Sequence, residues 1–151
     1  MAMRSDNFTE SAQDVLSQSQ LLVRSYRHPQ WDVEHIFQAL LEQEDGLAQQ
    51  IIEELGVESS GIKAQVIEVL ERSPHLQYEP SQIYPTPRTA RLIEGAKEEA
   101  KRLKDEYIST EHLFIALVLE RTGESAQIIR SVGIDVEKVY QALTKIRGTQ
   151  R

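Results

Sequence analysis

The sequence predicts an all-α fold, one domain of eight helices in which two tandem four-helix units pack about an approximate twofold. Three observations predict it. The phrase DVEHIFQALLEQ at 32–43 returns as STEHLFIALVLE at 109–120. The apolar residues around both copies recur at helical spacing, and no alternating strand pattern competes. Four of the five prolines collect between the copies, in SPHLQYEPSQIYPTP, where a helix cannot continue.

The copies share one register. The step of 77 positions from Glu34 to Glu111 also carries His35 onto His112, Phe37 onto Phe114, Leu40 onto Leu117, Ile51 onto Ile128 and Gly56 onto Gly133, without a gap. Two units this long are not a solenoid.

The first helix of each unit is predicted at 9–27 and 86–104. Ala12, Val15, Leu16, Ser19, Val23 and Tyr26 form one stripe, and Thr89, Leu92, Ile93, Ala96, Ala100 and Leu103 repeat its steps. Thr9 is placed to cap the first, and Thr86 followed by Pro87 the second. Asp32 and Ser109 can cap the second helices, at 33–44 and 110–121. Gly46, Gly56, Gly123 and Gly133 mark turns through left-handed backbone, which bounds third helices at 47–55 and 124–132 and fourth helices at 59–72 and 135–147. The units are therefore about 8–72 and about 86–147. A connector at 73–85 crosses the surface, with Trp31 expected in the place of Ile108, and a polar linker stub follows at 148–151.

A length of 151 residues suits one domain with its own core. Cysteine is absent, which excludes thiol nucleophiles and disulfide frameworks and fits a reducing, cytoplasmic setting. The start, MAMRSDNFTESA, lacks the apolar core of a secretory signal, and the longest apolar run, Leu113 to Leu119, is too short to span a bilayer. A formal charge of −7, with no basic stripe, opposes phosphate backbones. Nucleic acid and membrane are thus excluded as expected partners.

No G-x-x-x-x-G-K-[ST] or G-x-G-x-x-G cradle is present, so a nucleotide cannot bind by those routes. Glu34-His35 and Glu111-His112 are neighbours in sequence, about 100° apart on a helix, and do not converge as metal ligands four residues apart do. His35 and His112 are expected as half-buried, hydrogen-bonded histidines near helix starts, and His28 and His75 as surface residues. Glu34 and Glu111 have two readings. An acid in a first turn favours the positive end of the helix. It can also stand beside a capping threonine of the preceding helix, where it could hold a guanidinium or a peptide amide. Leu21 and Leu22 lie off the stripe where the second copy has Glu98 and Glu99, through different packing of the units or as a partner surface.

The segments FTESAQDVL, DVEHIFQALL, TPRTARLIEGAKEEAKRLKDEYISTEHLFIAL and IIRSVGIDVEKV resemble the Clp repeat, the doubled four-helix unit at the N-terminus of ClpA, ClpB and ClpC chaperone ATPases. The QIYPTPR and LKDEYIS segments look most like the ClpB disaggregase branch, with ClpC next. The resemblance implies a non-catalytic module that captures unfolded or aggregated polypeptide, or an adaptor protein, for the hexameric AAA+ ring of the same chain. The isolated domain would be monomeric, and ATP and magnesium would belong only to the ring. A ClpC-like domain, or a free-standing Clp-repeat protein, is the alternative.

The resemblance also implies sites. The ClpC-like pattern holds phosphorylated arginine with a Thr and a Glu in each repeat, which here are Thr9 with Glu34 and Thr86 with Glu111. The ClpB-like pattern handles substrate through Thr9, Asp105 and Glu111. Phe8 and Ile93 are expected beside these residues in the substrate site, and the first copy departs from the usual motif, reading HPQWDVEHI.

Overall fold

The computed structural model describes residues 7–149. Among them are α1 (Glu10–Tyr26), α2 (Val33–Glu42), α3 (Leu47–Glu54), α4 (Ser59–Glu71), α5 (Pro87–Arg102), α6 (Thr110–Leu119), α7 (Glu124–Ser131) and α8 (Val136–Thr149). Every helix expected from the apolar period is present. Residues 148 and 149, expected in a linker, complete the last turn of α8. The linker residues 150–151 and the opening residues 1–6 lie outside the described residues.

Local chemistry fixes the helix ends. Thr9 Oγ1 accepts the Ala12 N–H at 3.1 Å, and Thr86 Oγ1 accepts the Thr89 N–H at 3.2 Å with Pro87 in the first turn. Such a cap contributes about 1 kcal/mol. Arg27, after α1, and Lys104, beyond the end of α5, both enter the left-handed region, at φ 58° and 61°, one repeat step apart. Gly56 and Gly133 turn through left-handed backbone as expected. Gly46 does not: it caps α3 in extended backbone at φ −68°, and Asp45 supplies the left-handed residue instead.

α2 and α6 form the centre. All residues from Val33 to Leu41 and from Thr110 to Leu117 are buried, so these helices are covered on every side. Phe37 and Phe114, equivalent in the repeat, meet with ring centroids 6.4 Å apart and planes at 48°. Burying such a ring stabilises by about 1.5–3 kcal/mol relative to leaving it exposed. Their contact lies at the pseudo-twofold.

The units interlock. The Thr9 N–H donates to the Ile108 carbonyl at 2.9 Å and the Ile108 N–H to Asn7 at 2.8 Å, while the Thr86 N–H donates to Trp31 and the Trp31 N–H to Tyr84, both at 2.9 Å. The strand-like stretch before the first helix of each unit thus pairs with the stretch before the second helix of the other. Trp31 takes the place of Ile108, as expected. The connector is strapped down by the Leu76 N–H on the Arg27 carbonyl at 2.7 Å and by Arg24 on the Pro80 carbonyl at 2.8 Å. Ile83 is half-buried against the core, whereas the Tyr84 side chain stays exposed.

Three sequence expectations need correction or resolution. His35 and His112 are fully buried rather than half-buried, because each ring closes the first turn of a central helix. His28 is buried rather than on the surface, stacked between Tyr26 and His75 with Leu70 behind it; His75 is exposed as expected. The leucine pair separates: Leu22 packs on the core, and Leu21 is 57 % exposed.

Candidate functional site

The two interlocked crossings place the first-turn glutamates in different surroundings. At the first crossing, the Thr86 hydroxyl donates to Asp32 Oδ1 at 3.0 Å, and Glu34 follows Asp32 into α2. Glu34 is 5 % exposed and fully engaged by its own chain. Arg88 reaches its two oxygens at 3.4 and 3.3 Å, and Ser125 donates to Oε2 from its N–H at 3.1 Å and its hydroxyl at 2.7 Å. Arg88 also holds Glu120 at 3.0 Å and Asp32 at 3.4 Å. Burial works to lower the Arg88 pKa, but the hydrogen bonds and charges of Glu120 and Glu34 overcome it and leave the guanidinium raised. The site is closed by an internal ligand.

At the second crossing, Thr9 Oγ1 donates to Ser109 Oγ at 3.4 Å, and Glu111 follows Ser109 into α6. Arg147 of α8 donates to Glu111 Oε2 at 3.1 Å and to Asp105 Oδ2 at 2.8 Å. Burial pushes the Asp105 pKa up, and the bonds from Arg147 and His112 reverse this, so the carboxyl ends below its ordinary value. Glu111 Oε1 is buried without a hydrogen-bond partner among the described residues. One repeat step relates Ser125 to Ala48 and Arg88 to Ser11, so two donors that satisfy Glu34 have no counterpart here. A buried acceptor left unpaired costs about 1–3 kcal/mol. Beside the crossing runs a groove of about 450 Å³ lined by Asn7, Glu94, Lys97, Ala100, Asp105 and Ile108.

The histidines serve these crossings from beneath. The Asp32 N–H donates to His35 Nδ1 at 2.9 Å, which leaves the proton of the neutral ring on Nε2. That N–H donates to His28 Nδ1 at 2.7 Å, and His28 Nε2–H donates to the Leu70 carbonyl at 2.9 Å. Burial, then the neighbouring His28, lowers the His35 pKa to about 4. In the second unit the Ser109 N–H donates to His112 Nδ1 at 2.8 Å, and His112 Nε2–H donates to Asp105 Oδ2 at 2.7 Å. Asp105 replaces His28, one step away in the repeat. Among the described residues no group of three or more histidines and acids converges as a metal site.

Thr9, Asp105 and Glu111 therefore gather at one crossing, and Thr86 and Glu34 at the other. Pairing within a repeat, Thr9 with Glu34 and Thr86 with Glu111, is replaced by pairing across repeats, because the stretches before the helices exchange. Phe8 and Ile93 are buried, Phe8 bridging to Ile108 at the second crossing, and neither lines the groove. The groove walls are charged, through Glu94, Lys97 and Asp105, with Ala100 and Ile108 as apolar lining. Arg88, Ser125 and Arg147 were not singled out from sequence; their signal is that the aligned copy has Ser11, Ala48 and Leu70.

The family model for the Clp repeat (R) N-terminal domain matches residues 7–131. The chain belongs to that family. It is 31 % identical over 153 residues to the chaperone protein ClpB of Clostridium perfringens, covering 99 % of this chain and 18 % of that protein. It is 30 % identical over 142 residues to the negative regulator of genetic competence ClpC/MecB of Bacillus subtilis, covering 94 % of this chain and 17 % of the relative. The chain thus spans under a fifth of the length of these proteins. The Hsp104 N-terminal domain from Candida albicans shares the fold with a TM-score of 0.82 at 19 % identity, over 96 % of this chain and 94 % of that one. The ClpV N-domain solved with a VipB peptide gives a TM-score of 0.67 at 16 % identity, over 89 % and 82 %. Among the described residues no helix is long and apolar enough to cross a membrane.

Proposed function

We propose that this domain captures unfolded or aggregated polypeptide for the hexameric AAA+ ring of a ClpB-type disaggregase in the cytoplasm. Capture occurs at the crossing of Thr9, Asp105 and Glu111, and ATP and magnesium act in the ring alone. One observation carries the reading: at the position where Glu34 is saturated, Glu111 keeps a buried carboxylate oxygen without a hydrogen-bond partner among the described residues, and it shares Arg147 with Asp105, which lines the groove. A main-chain amide or side-chain donor of an incoming segment would satisfy it, at the expense of part of the Arg147 contact. Binding would be weak and reversible, and several copies on one ring would raise the effective concentration.

A nuclear magnetic resonance titration with an unfolded protein tests this. Shifts should concentrate at Thr9, Asp105 and Glu111 and in α1, α5 and α6, and Glu111→Ala should abolish them while leaving the helical spectrum intact. No response at millimolar concentration overturns the reading.

A second reading is favoured by the Glu34–Arg88 contact, in which a first-turn glutamate of this fold holds a guanidinium. By repeat equivalence, Glu111 with Thr9 would take an arginine, or a phosphorylated arginine as in ClpC-like domains, displayed by a substrate or adaptor. Titration with free phosphoarginine against arginine separates the two readings. Saturable shifts at Thr9 and Glu111 with phosphoarginine alone support the second.

A further inference from the structure

A second groove lies on the same repeat, against other residues of α5. It runs between α5 and the end of α6, has a volume of about 280 Å³, and is lined by Arg91, Leu92, Ala116, Leu119 and Arg121 together with Arg88 and Glu120, which pair with each other at 3.0 Å. One repeat step away lies a groove of about 290 Å³ between α1 and α2, lined by Asp14, Val15, Ala39 and Glu42. The backbone frame is the same and the chemistry is inverted. Arg91 corresponds to Asp14, Leu119 to Glu42, and Arg121 to Glu44, while the apolar floor of Leu92 and Ala116 corresponds to Val15 and Ala39.

Arg88 is consumed by Glu34 and Glu120, but Arg91 and Arg121 are exposed and have no ion pair or hydrogen bond among the described residues. Leu119 is 46 % exposed between them in the chain's own groove. Gly95 keeps the floor open: a Cβ there would meet Ala116 Cβ at 3.6 Å, and the corresponding residue of the other groove is Gln18. In a chain of formal charge −7, an acidic partner is repelled by most of the surface and attracted here. A neutral apolar segment would find no reason to prefer this groove over its acidic counterpart.

We infer that the α5–α6 groove is a docking site for an acidic peptide segment in which carboxylates flank an apolar side chain. The apolar side chain lies over Leu92 and Ala116 against Leu119, and the carboxylates meet Arg91 and Arg121. The surface is distinct from the Thr9, Asp105 and Glu111 crossing. It therefore stands whether or not polypeptide is captured there.

The acidic groove supplies the control residues. Arg91→Asp combined with Arg121→Glu installs the chemistry of the other copy, and Gly95→Gln fills the floor without altering charge; both sets are already accepted by this backbone frame. The probes are a synthetic peptide with glutamates around a leucine, the same peptide with serine for leucine, and one with lysines for the glutamates. Amide shifts should appear at Arg91, Gly95, Leu119 and Arg121 with the first peptide, and added salt should weaken them. Each variant should weaken binding about tenfold or more, since rim charges steer and the floor supplies contact. Equal binding of the serine peptide reduces the groove to a diffuse anion attractor and overturns the proposal. So do shifts confined to Asp14 and Glu42, binding unchanged in both variants, or groove signals that move with protein concentration alone, which would make a second copy the occupant.

Discussion

Glu34 and Glu111 hold the same position in two copies of one motif, yet the first is saturated by the chain and the second is not. Arg88 and Ser125 close around Glu34, whereas Glu111 meets Arg147 on one oxygen and has no hydrogen-bond partner among the described residues on the other. A duplicated fold can thus saturate one copy of a site with its own side chains and leave the other short of a partner. The comparison is meaningful only if the halves share a core. Phe37→Ala and Phe114→Ala should therefore each cost about 3–5 kcal/mol and act on one cooperative transition in urea. Two separate transitions, with each variant moving only one, would break the frame in which the sites are compared.

The next largest effect probes the sites themselves. Arg88→Ala leaves Glu34 buried without its counter-charge and should cost about 3 kcal/mol, toward the low end for a broken buried pair because Ser125 remains. Arg147→Ala should cost about 1 kcal/mol or less, since that arginine is 37 % exposed and its carboxylates reach solvent more readily. Equal losses in chemical denaturation would show that neither site is privileged.

The fold was legible because its signals are local or periodic: the apolar stripe, the caps at Thr9 and Thr86, and the unbroken step from Glu34 to Glu111. The crossing of the units was not. A repeat register states which residues are equivalent, and says nothing of which copy a capping stretch pairs with, so the register alone does not choose between Thr9 with Glu34, as in the ClpC-like pattern, and Thr9 with Asp105 and Glu111, as in the ClpB-like one. His28 was misplaced for a related reason. Beside Pro29 it reads as a turn residue, and only the tertiary contact with His35 and Leu70 buries it. What could have been used is the mismatch between aligned copies, since Arg88 over Ser11 and Ser125 over Ala48 mark where the two halves diverge.

The histidine relays sharpen the comparison through pH. His35 has a folded pKa of about 4, below its unfolded value near 6.5, so the folded state binds fewer protons. Its neutral form is fully accommodated above about pH 6.5, and stability should fall as pH drops from there toward about 4, by up to about 3 kcal/mol. Asp105 has a folded pKa below its ordinary value, so its contribution persists down to the unfolded carboxylate range and is lost only as pH falls through the folded value, below about 4. Urea unfolding across this range should show an early decline that His35→Asn flattens and a later one that Asp105→Asn flattens. A single step common to both variants would merge the two relays.

The smallest predicted effect is a gain. Ala48 is buried at the start of α3, one repeat step from Ser125 at the start of α7, whose hydroxyl donates to Glu34 at 2.7 Å. Ala48→Ser would bring the same donor to Glu111 in the same frame, and pairing its orphaned Oε1 should stabilise the fold by about 1 kcal/mol. A serine that only crowded a packed position would destabilise instead, so the sign of the change in midpoint is informative. If the unpaired oxygen is what an incoming segment engages, the same substitution should also weaken polypeptide capture, because the new hydroxyl competes for that acceptor. Greater stability with undiminished capture would place the grip of the second crossing elsewhere than on Oε1, and would leave the asymmetry of the two glutamates a matter of packing alone.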